Sequence, residues 1–189
     1  MTKKAVIFLD IDGVLLPFPP KPTTTTTEES LFPKSNLAAL RRLWEVTNPS
    51  DTQWILSSTW RVREEYIHDI VHALEEFGME NFVFDGITDP TLHSERQWEI
   101  FDWLERKSKR QVQQPQHPQQ YQHIWLALDD EDLIHGETNA KHKDLFDGHV
   151  VQTQSNVGLT MSDVDLAISL WKEQKDQQLL QQQGTGKRN

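Results

Sequence analysis

Two aspartates, Asp10 and Asp12, stand directly after the apolar run Ala5–Leu9 in the stretch "KKAVIFLDIDGVLL". Because side chains alternate along an extended chain, both carboxylates are expected to project to one side while Ile11 faces the other. Two negative charges this close repel each other unless a cation binds between them. Such oxygen ligands suit Mg²⁺, which keeps several waters and completes its coordination shell with phosphate oxygens. The pair therefore predicts a site for magnesium and a phosphorylated molecule.

Polar residues also follow two later apolar runs, where "SSTWR" comes after residues 53–56 and "DDED" comes after residues 123–128. In a parallel α/β sheet, ligands bind outside the carboxyl ends of the strands, so these polar residues are expected to gather at one edge. The expected set is Asp10, Asp12, Ser57, Ser58, Thr59, Arg61, Asp129, Asp130 and Asp132. Helix capping or loop solvation would explain one acidic pair taken alone, but three strand exits of this kind favour a site.

Five apolar segments have the length of β-strands, and segments with helical spacing lie between them. The five are residues 5–9, 53–56, 81–84, 123–128 and 149–152. This alternation is typical of a parallel sheet covered by crossover helices. We therefore predict an α/β protein with a three-layer, Rossmann-like fold and a parallel sheet of about five strands.

Three stripes of apolar residues predict helices that pack on this sheet. The stripe within residues 37–44 is expected to be capped by Ser35, and the stripe within 67–77 is expected to end at Gly78. The stripe within 164–171 is preceded by Thr160, with Asp163 three residues later, which is an aspartate variant of the capping box. We interpret all three stripes as core packing.

Two low-complexity stretches interrupt the pattern, and we predict one domain over residues 1–175 with insertions near 19–30 and 110–122. The first insertion is rich in threonine and proline, and the alternatives for it are a lid over the site and a disordered loop. The second is rich in glutamine and proline and is expected to be flexible. We expect the chain to fray after the last helix and predict that the glutamine-rich tail, 176–189, is disordered.

The composition excludes several classes of protein. The chain of 189 residues has no cysteine, so disulfides, thiolate metal sites and cysteine nucleophiles are excluded. The net charge of −10 opposes binding of long nucleic acids, which depends on lysine and arginine displacing counterions, and favours a small phosphorylated substrate. No apolar run approaches the roughly 18 residues of a membrane span. We expect a soluble, monomeric protein of the cytoplasm, with the nucleus as the alternative compartment.

Four motifs resemble those of the haloacid dehalogenase-like (HAD) superfamily of phosphohydrolases. "FLDIDGVLL" resembles its first motif, "ILSSTWR" its second and "LALDDED" its acidic fourth. In "SERQWEIFDWL", Arg96 stands where the third motif places a lysine or arginine at the head of a helix. The ending "VVQTQSNVGLTMSDVDLAISLW" is similar to a small capless branch that includes the HAD domains of RNA-repair (Swiss Army Knife) proteins. The resemblance spans about Lys4 to Trp171 and implies a HAD-like fold with no large cap domain.

The resemblance implies a chemical role for each acidic residue. Asp10 would attack phosphorus and form an aspartyl-phosphate, and Asp12 would protonate the leaving oxygen and later activate water. Mg²⁺ would be held by the Asp10 side chain, the Asp12 backbone carbonyl and Asp129, with Asp130 bound directly or through water.

The remaining motif residues would contact the phosphate or the substrate. Ser57 would donate a hydrogen bond to a phosphoryl oxygen, and Arg96 would contact both phosphate and nucleophile, which makes both of them catalytic. Gly13 would allow a sharp turn at a position where a side chain would obstruct phosphate. The residues expected to bind substrate are Gly13, Ser58, Thr59 and Arg61.

Three residues leave alternatives open. Arg96 replaces the more usual lysine, and if it is only a surface charge another cation must do its work. The candidates for that work are Lys34, Arg61 and Lys141. Arg61 contacts either phosphate or ribose, or it forms a salt bridge with Glu64 or Glu65. Trp60 is either a stacking platform for a base or part of the core.

We therefore predict a Mg²⁺-dependent phosphatase that acts through an aspartyl-phosphate on Asp10. The expected substrates are a small phosphorylated molecule, such as a nucleotide, or the terminal phosphate of a larger one, such as a nucleic-acid end. The alternative is a catalytically inactive HAD-fold protein that binds partners through its glutamine tracts. Phosphotransfer to an acceptor other than water would use the same residues as hydrolysis.

Overall fold

The computed structural model describes residues 5–19, 30–91, 95–111, 124–136 and 142–185. Within these residues the chain forms five strands and five α-helices. The strands are β1 (Ala5–Leu9), β2 (Thr52–Leu56), β3 (Gly86–Ile87), β4 (Ile124–Asp129) and β5 (Val150–Gln152). The helices are α1 (Lys34–Thr47), α2 (Glu64–Glu76), α3 (Arg96–Gln111), α4 (Lys143–Phe146) and α5 (Met161–Thr185), and a 3₁₀ turn covers Thr59–Val62.

The five strands form one sheet in the order β3-β2-β1-β4-β5, and every neighbouring pair is parallel. The chain builds outward from β1 to β3 on one side and then crosses to β4 on the other. The strand order therefore reverses between β1 and β4, which is the position where parallel α/β sheets bind ligands. The predicted α/β, Rossmann-like fold is confirmed.

Alternate residues of β1 are buried in two different cores, which makes the protein three layers thick. Ile7 and Leu9 belong to a cluster with apolar side chains of α1, α2 and α5. Val6 and Phe8 belong to a second cluster, which includes Ile100 of α3. Because both faces of β1 are covered, the strand is a continuous apolar run, as expected for the centre of a parallel sheet.

Two of the sequence-based element predictions are wrong. Residues 81–84 do not form a strand, because Asn81 has a φ of +61° and Phe82 turns inward. The ring centroid of Phe82 lies 5.6 Å from that of Trp54. The edge strand β3 begins five residues later, at Gly86. Ser35 does not cap α1, because Pro33 is the residue at the N-cap and the Ser35 hydroxyl donates to Asn36 instead.

Two predicted helix boundaries are confirmed. Gly78, with a φ of +90°, follows directly on the C-cap residue of α2. The capping box before α5 is present, because the backbone N–H and the hydroxyl of Thr160 both donate to Asp163 Oδ2 and the Asp163 N–H donates back.

The end of the chain is more helical than the sequence suggests. Helix α5 continues to Thr185, so residues 176–185 of the tail predicted to be disordered are helical. Glutamine, lysine, glutamate and leucine are all good helix formers, which accounts for the extension. Most of the two insertions, residues 20–29 and 112–122, lie outside the described residues, as does the choice between a lid and a disordered threonine loop. No helix in the described part of the chain is long and apolar enough to cross a membrane.

Candidate active site

The carboxyl ends of β1, β2 and β4 lie side by side and bring the polar residues after them together. The Asp10 N–H donates to Leu128 O of β4, and the Ser57 N–H donates to Leu9 O of β1. These two bonds continue the parallel ladder one residue past β1 and β2. The sheet itself therefore fixes the backbone at these strand exits.

Asp10, Asp129 and Asp130 form an acidic group at this edge. Each offers a carboxylate oxygen that lies within 4.8 Å of the other two. Asp10 is only 4% exposed and Asp129 is fully buried, whereas Asp130 is half-buried. The Asp129 Oδ1 atom accepts the Glu131 N–H at 3.0 Å, which fixes the orientation of that carboxylate.

Gly13 leaves the space that Asp130 needs. It has a φ of +74°, and a Cβ atom at this position would lie 2.3 Å from the carboxylate carbon of Asp130. Its carbonyl also accepts the Thr153 hydroxyl at 2.8 Å, which ties the turn after β1 to the end of β5. A larger residue here would displace Asp130 from the group.

Arg96 lies across the two buried aspartates. It is the first residue of α3, and its side chain is almost fully buried. Its Nη2 atom is 3.3 Å from Asp10 Oδ1, and its Nε atom is 3.2 Å from Asp129 Oδ2. The second of these is an ion pair without hydrogen-bond alignment, so Asp129 Oδ2 has no hydrogen-bond partner among the described residues.

Burial and mutual repulsion dominate the electrostatics of the group. Burial raises the pKa of Asp10 from 3.8 to about 6, although the Arg96 guanidinium opposes the shift. Burial, followed by the charge of Asp10, raises the pKa of Asp129 well above its ordinary value. Burial alone would lower the pKa of Arg96, but the carboxylates of Asp129, Asp10 and Glu99 outweigh it and raise that pKa.

Arg61 is turned into the protein. Its guanidinium donates to the carbonyls of Ser57 at 2.9 Å and Ser58 at 2.5 Å, and it pairs with Glu99 of α3 at 2.8 Å. Its salt-bridge partner is therefore Glu99, not Glu64 or Glu65 as the sequence suggested. In this arrangement Arg61 holds the backbone after β2, and its contact with substrate stays a prediction.

The hydroxyl residues after β2 differ in their surroundings. Ser57 is fully buried, and no described residue forms a hydrogen bond with its Oγ atom. Ser58 is also buried, and its hydroxyl accepts the Trp60 N–H at 3.5 Å and lowers the pKa of Asp10 through a hydrogen bond. Thr59 is exposed at the start of the 3₁₀ turn.

Asp12 is not one of the three carboxylates whose oxygens lie within 4.8 Å of one another. It is half-buried, and its Oδ2 atom accepts a 3.0 Å hydrogen bond from the indole Nε1 of Trp60. The Trp60 ring packs against the core, as one of the two sequence alternatives proposed.

Two of the other charged candidates that the structure describes, Asp132 and Lys34, have different surroundings. Asp132 accepts the backbone N–H groups of Ile134 and His135 and so stabilises a turn. Lys34 is an exposed residue at the start of α1, and Lys141 lies outside the described residues.

A comparison with protein-family models decides the family. The model for the HAD domain in Swiss Army Knife RNA repair proteins matches residues 6–164. The chain belongs to this family. No curated protein and no solved structure matches the chain.

The HAD domain of this chain has an acidic group that fits a divalent cation. Its donors are all carboxylate oxygens, the set preferred by Mg²⁺ and not by zinc or copper. Asp129 Oδ2 is buried without a hydrogen-bond partner among the described residues. Burial, with a smaller contribution from neighbouring carboxylates, raises the pKa values of Asp10 and Asp129, and Arg96 only partly opposes these shifts. A buried oxygen with a free lone pair next to uncompensated charge is what a cation would satisfy.

Sequence reasoning missed Glu99, which links the buried arginines Arg61 and Arg96. Its Oε1 atom pairs with Arg61, and its Oε2 atom is 3.2 Å from Arg96 and accepts the Thr88 hydroxyl at 3.2 Å. The spacing of three residues from Arg96 on one helix was a signal for part of this network. The pairing with Arg61, 38 residues away, has no signal in the sequence.

Proposed function

We propose that this HAD-family chain is a Mg²⁺-dependent phosphomonoesterase that acts through an aspartyl-phosphate on Asp10. The observation that carries the proposal is the buried group of Asp10, Asp129 and Asp130, with Arg96 lying across the first two. Membership of the HAD family supports phosphohydrolase activity in general.

Asp10 is suited to act as the nucleophile. In the first step a carboxylate oxygen of Asp10 attacks phosphorus, the bond from phosphorus to the substrate oxygen breaks, and an aspartyl-phosphate forms. When bound, Mg²⁺ would neutralise the repulsion between the carboxylate and the phosphate. Arg96, 3.3 Å from Asp10, supplies a fixed positive charge at the same place.

Asp12 is suited to move protons in both steps. It gives a proton to the leaving oxygen when the substrate ester breaks. In the second step it takes a proton from the water that attacks the aspartyl-phosphate, which releases inorganic phosphate and restores Asp10. Because Asp12 lies outside the acidic group, it can serve the leaving group and the water without sharing the nucleophile's position.

The residues after β2 would bind the phosphate. The buried Ser57 hydroxyl lacks a hydrogen-bond partner among the described residues, so a phosphoryl oxygen would satisfy it. Ser58, Thr59 and Gly13 would line the same pocket. Arg61 supports this loop through its bonds to the carbonyls of Ser57 and Ser58.

The proposed substrates are small phosphorylated molecules, including nucleotides, and the terminal phosphate of a nucleic acid. The match to a HAD domain of RNA repair proteins supports a nucleic-acid end. The net charge of −10 argues against long contacts with a polyanion.

The direct test is hydrolysis of 4-nitrophenyl phosphate by the purified protein, with Mg²⁺ or with a chelator. We expect turnover with Mg²⁺, loss of turnover with the chelator and no turnover by Asp10→Asn. A panel of phosphorylated metabolites, nucleotides and oligonucleotide ends would then identify the substrate. Activity that survived in Asp10→Asn would contradict the aspartyl-phosphate route, and a folded wild type without turnover on any substrate would favour the binding-protein alternative.

A further inference from the structure

The side chain of Asp12 is held by a tryptophan. The Trp60 Nε1 donates to Asp12 Oδ2 at 3.0 Å, across 48 residues of sequence. An indole N–H is only a donor and does not accept or exchange a proton with a carboxyl group near neutral pH. The bond therefore fixes the direction of the carboxyl group without competing for its proton.

The indole is itself fixed from several sides. Trp60 lies in the 3₁₀ turn Thr59–Val62, and its backbone N–H donates to the buried Ser58 hydroxyl. Its ring centroid is 6.2 Å from that of the buried Phe32 and 5.4 Å from that of Tyr66 in α2. Rings that touch on two sides leave the indole little freedom to rotate, so the position of Nε1 is set by packing.

We propose that Trp60 is a positioning residue for the acid and base chemistry of Asp12, an inference that rests on the proposed function. The indole N–H holds Oδ2 as a hydrogen-bond acceptor and so fixes the plane of the carboxyl group. Oδ1 is then the carboxyl oxygen left to face the leaving oxygen. Loss of the indole N–H lets the carboxyl group rotate and lowers the fraction of molecules in which Oδ1 faces the substrate.

The proposal predicts a dependence on the leaving group. An alkyl phosphate needs a proton on its leaving oxygen, whereas 4-nitrophenyl phosphate has a good leaving group and gains little from protonation. For Trp60→Phe, which keeps an aromatic ring but removes the donor, we expect kcat/KM to fall about 10- to 100-fold with an alkyl phosphate, as for removing one partner of a hydrogen bond. With 4-nitrophenyl phosphate we expect a fall of less than about 3-fold.

Two variants act as controls. Trp44→Phe changes another half-buried tryptophan that packs against the same core, and it should leave both substrates unaffected. In an Asp12→Asn background, Trp60→Phe should cause no further fall in kcat/KM with the alkyl phosphate, because asparagine has no carboxyl group to position. Should Trp60→Phe fail to fold, Trp60→benzothienylalanine keeps the shape of the indole and removes only the N–H.

The outcomes separate this inference from the proposed function. A wild type that hydrolyses neither substrate contradicts the proposed function itself. A wild type that hydrolyses both, with a Trp60→Phe variant that loses the same factor on each, overturns the positioning role and leaves Trp60 as a packing residue. A selective loss on the alkyl phosphate that disappears in the Asp12→Asn background supports the proposal.

Discussion

At the scale of single residues, the surroundings of Asp10 disfavour the ionised form of its carboxyl group. The buried site contains the carboxylates of Asp10, Asp129 and Glu99, with the half-buried Asp130 beside them, and the guanidinium groups of Arg61 and Arg96. Four carboxyl groups thus face two guanidinium groups, which leaves excess negative charge when all four are ionised. A divalent cation would balance this charge, which is a physical reason to expect metal dependence beyond the resemblance to other HAD domains.

Removing the charge of Asp10 should therefore abolish activity and stabilise the metal-free protein. The pKa of Asp10 is about 6 when folded and 3.8 ordinarily, so the folded state binds more protons between these values and its stability falls as pH rises through them. With a chelator present at pH 7.5, we expect the free energy of unfolding of Asp10→Asn to be about 1–3 kcal/mol higher than that of the wild type. Urea unfolding at pH 4 to 8 measures this difference, which should shrink towards pH 4.

Asp132→Asn is the matched control, because the pKa of this exposed carboxylate is lowered by the backbone N–H groups of His135 and Ile134. Above pH 4, Asp132→Asn should be less stable than the wild type, which is the opposite of the change expected for Asp10→Asn. A metal-free Asp10→Asn protein that is less stable than wild type at pH 7.5 would contradict this account of the site.

At the scale of elements, one buried carboxylate of helix α3 connects two loops of the site to the arginine at the start of the same helix. Glu99 pairs with Arg61 after β2, with Thr88 after β3, and with Arg96 on its own helix. Arg96 therefore reaches Asp10 from a helix whose position relative to the loops after β2 and β3 is fixed by Glu99. The connection explains why a single arginine at the head of a helix can be placed between two aspartates of different strands.

Glu99→Ala should cost far more than the loss of a surface ion pair. It leaves the buried Arg61 and Arg96 without this partner, and breaking a buried pair in this way costs about 3–5 kcal/mol. We expect that loss in urea unfolding, and a lower kcat because Arg96 is no longer held. Asp102→Ala on the same helix removes a more exposed pair with Arg106 and should cost about 0–1 kcal/mol. Equal losses in the two variants would show that Glu99 does not link these loops.

Elements that depend on local pattern could be predicted from the sequence, whereas those that depend on distant partners could not. The run of β1 and the Thr160 capping box carry their own signals, and both are confirmed. Residues 81–84 look like a strand, but Phe82 is apolar because it packs on Trp54 from a loop. Strand exits indicated the aspartates, while the pairing of Arg61 with Glu99 and of Trp60 with Asp12 required the folded chain.

At the scale of the whole molecule, bound metal should stabilise the fold as well as the reaction. A ligand that binds only the folded state adds about 2.7 kcal/mol at 100 times its Kd. We expect Mg²⁺ to raise the Tm in a concentration-dependent way and a chelator to reverse the effect. Asp129→Asn should remove most of the shift, while Asp132→Asn should keep it. A Tm that does not respond to Mg²⁺ in the wild type would contradict a metal site at this group.

The net charge of −10 sets how a charged substrate approaches the site. A protein that uses a basic surface loses affinity for nucleic acid as salt rises, because counterion release weakens. Here the long-range field repels a polyanion, and added salt screens that repulsion over a Debye length of about 10 Å at 0.1 M. At low salt, we therefore expect the KM of oligonucleotides with the same terminal phosphate to rise with their length. For the longest oligonucleotide, we expect KM to fall as monovalent salt is added from 20 to 150 mM, roughly the range over which screening changes most. The matched measurement uses a mononucleotide, whose KM should change much less. A KM that instead rises steeply with salt for the longer oligonucleotides would mean that the chain carries a polyanion-binding surface, and the preference for small or terminal phosphates would have to be abandoned.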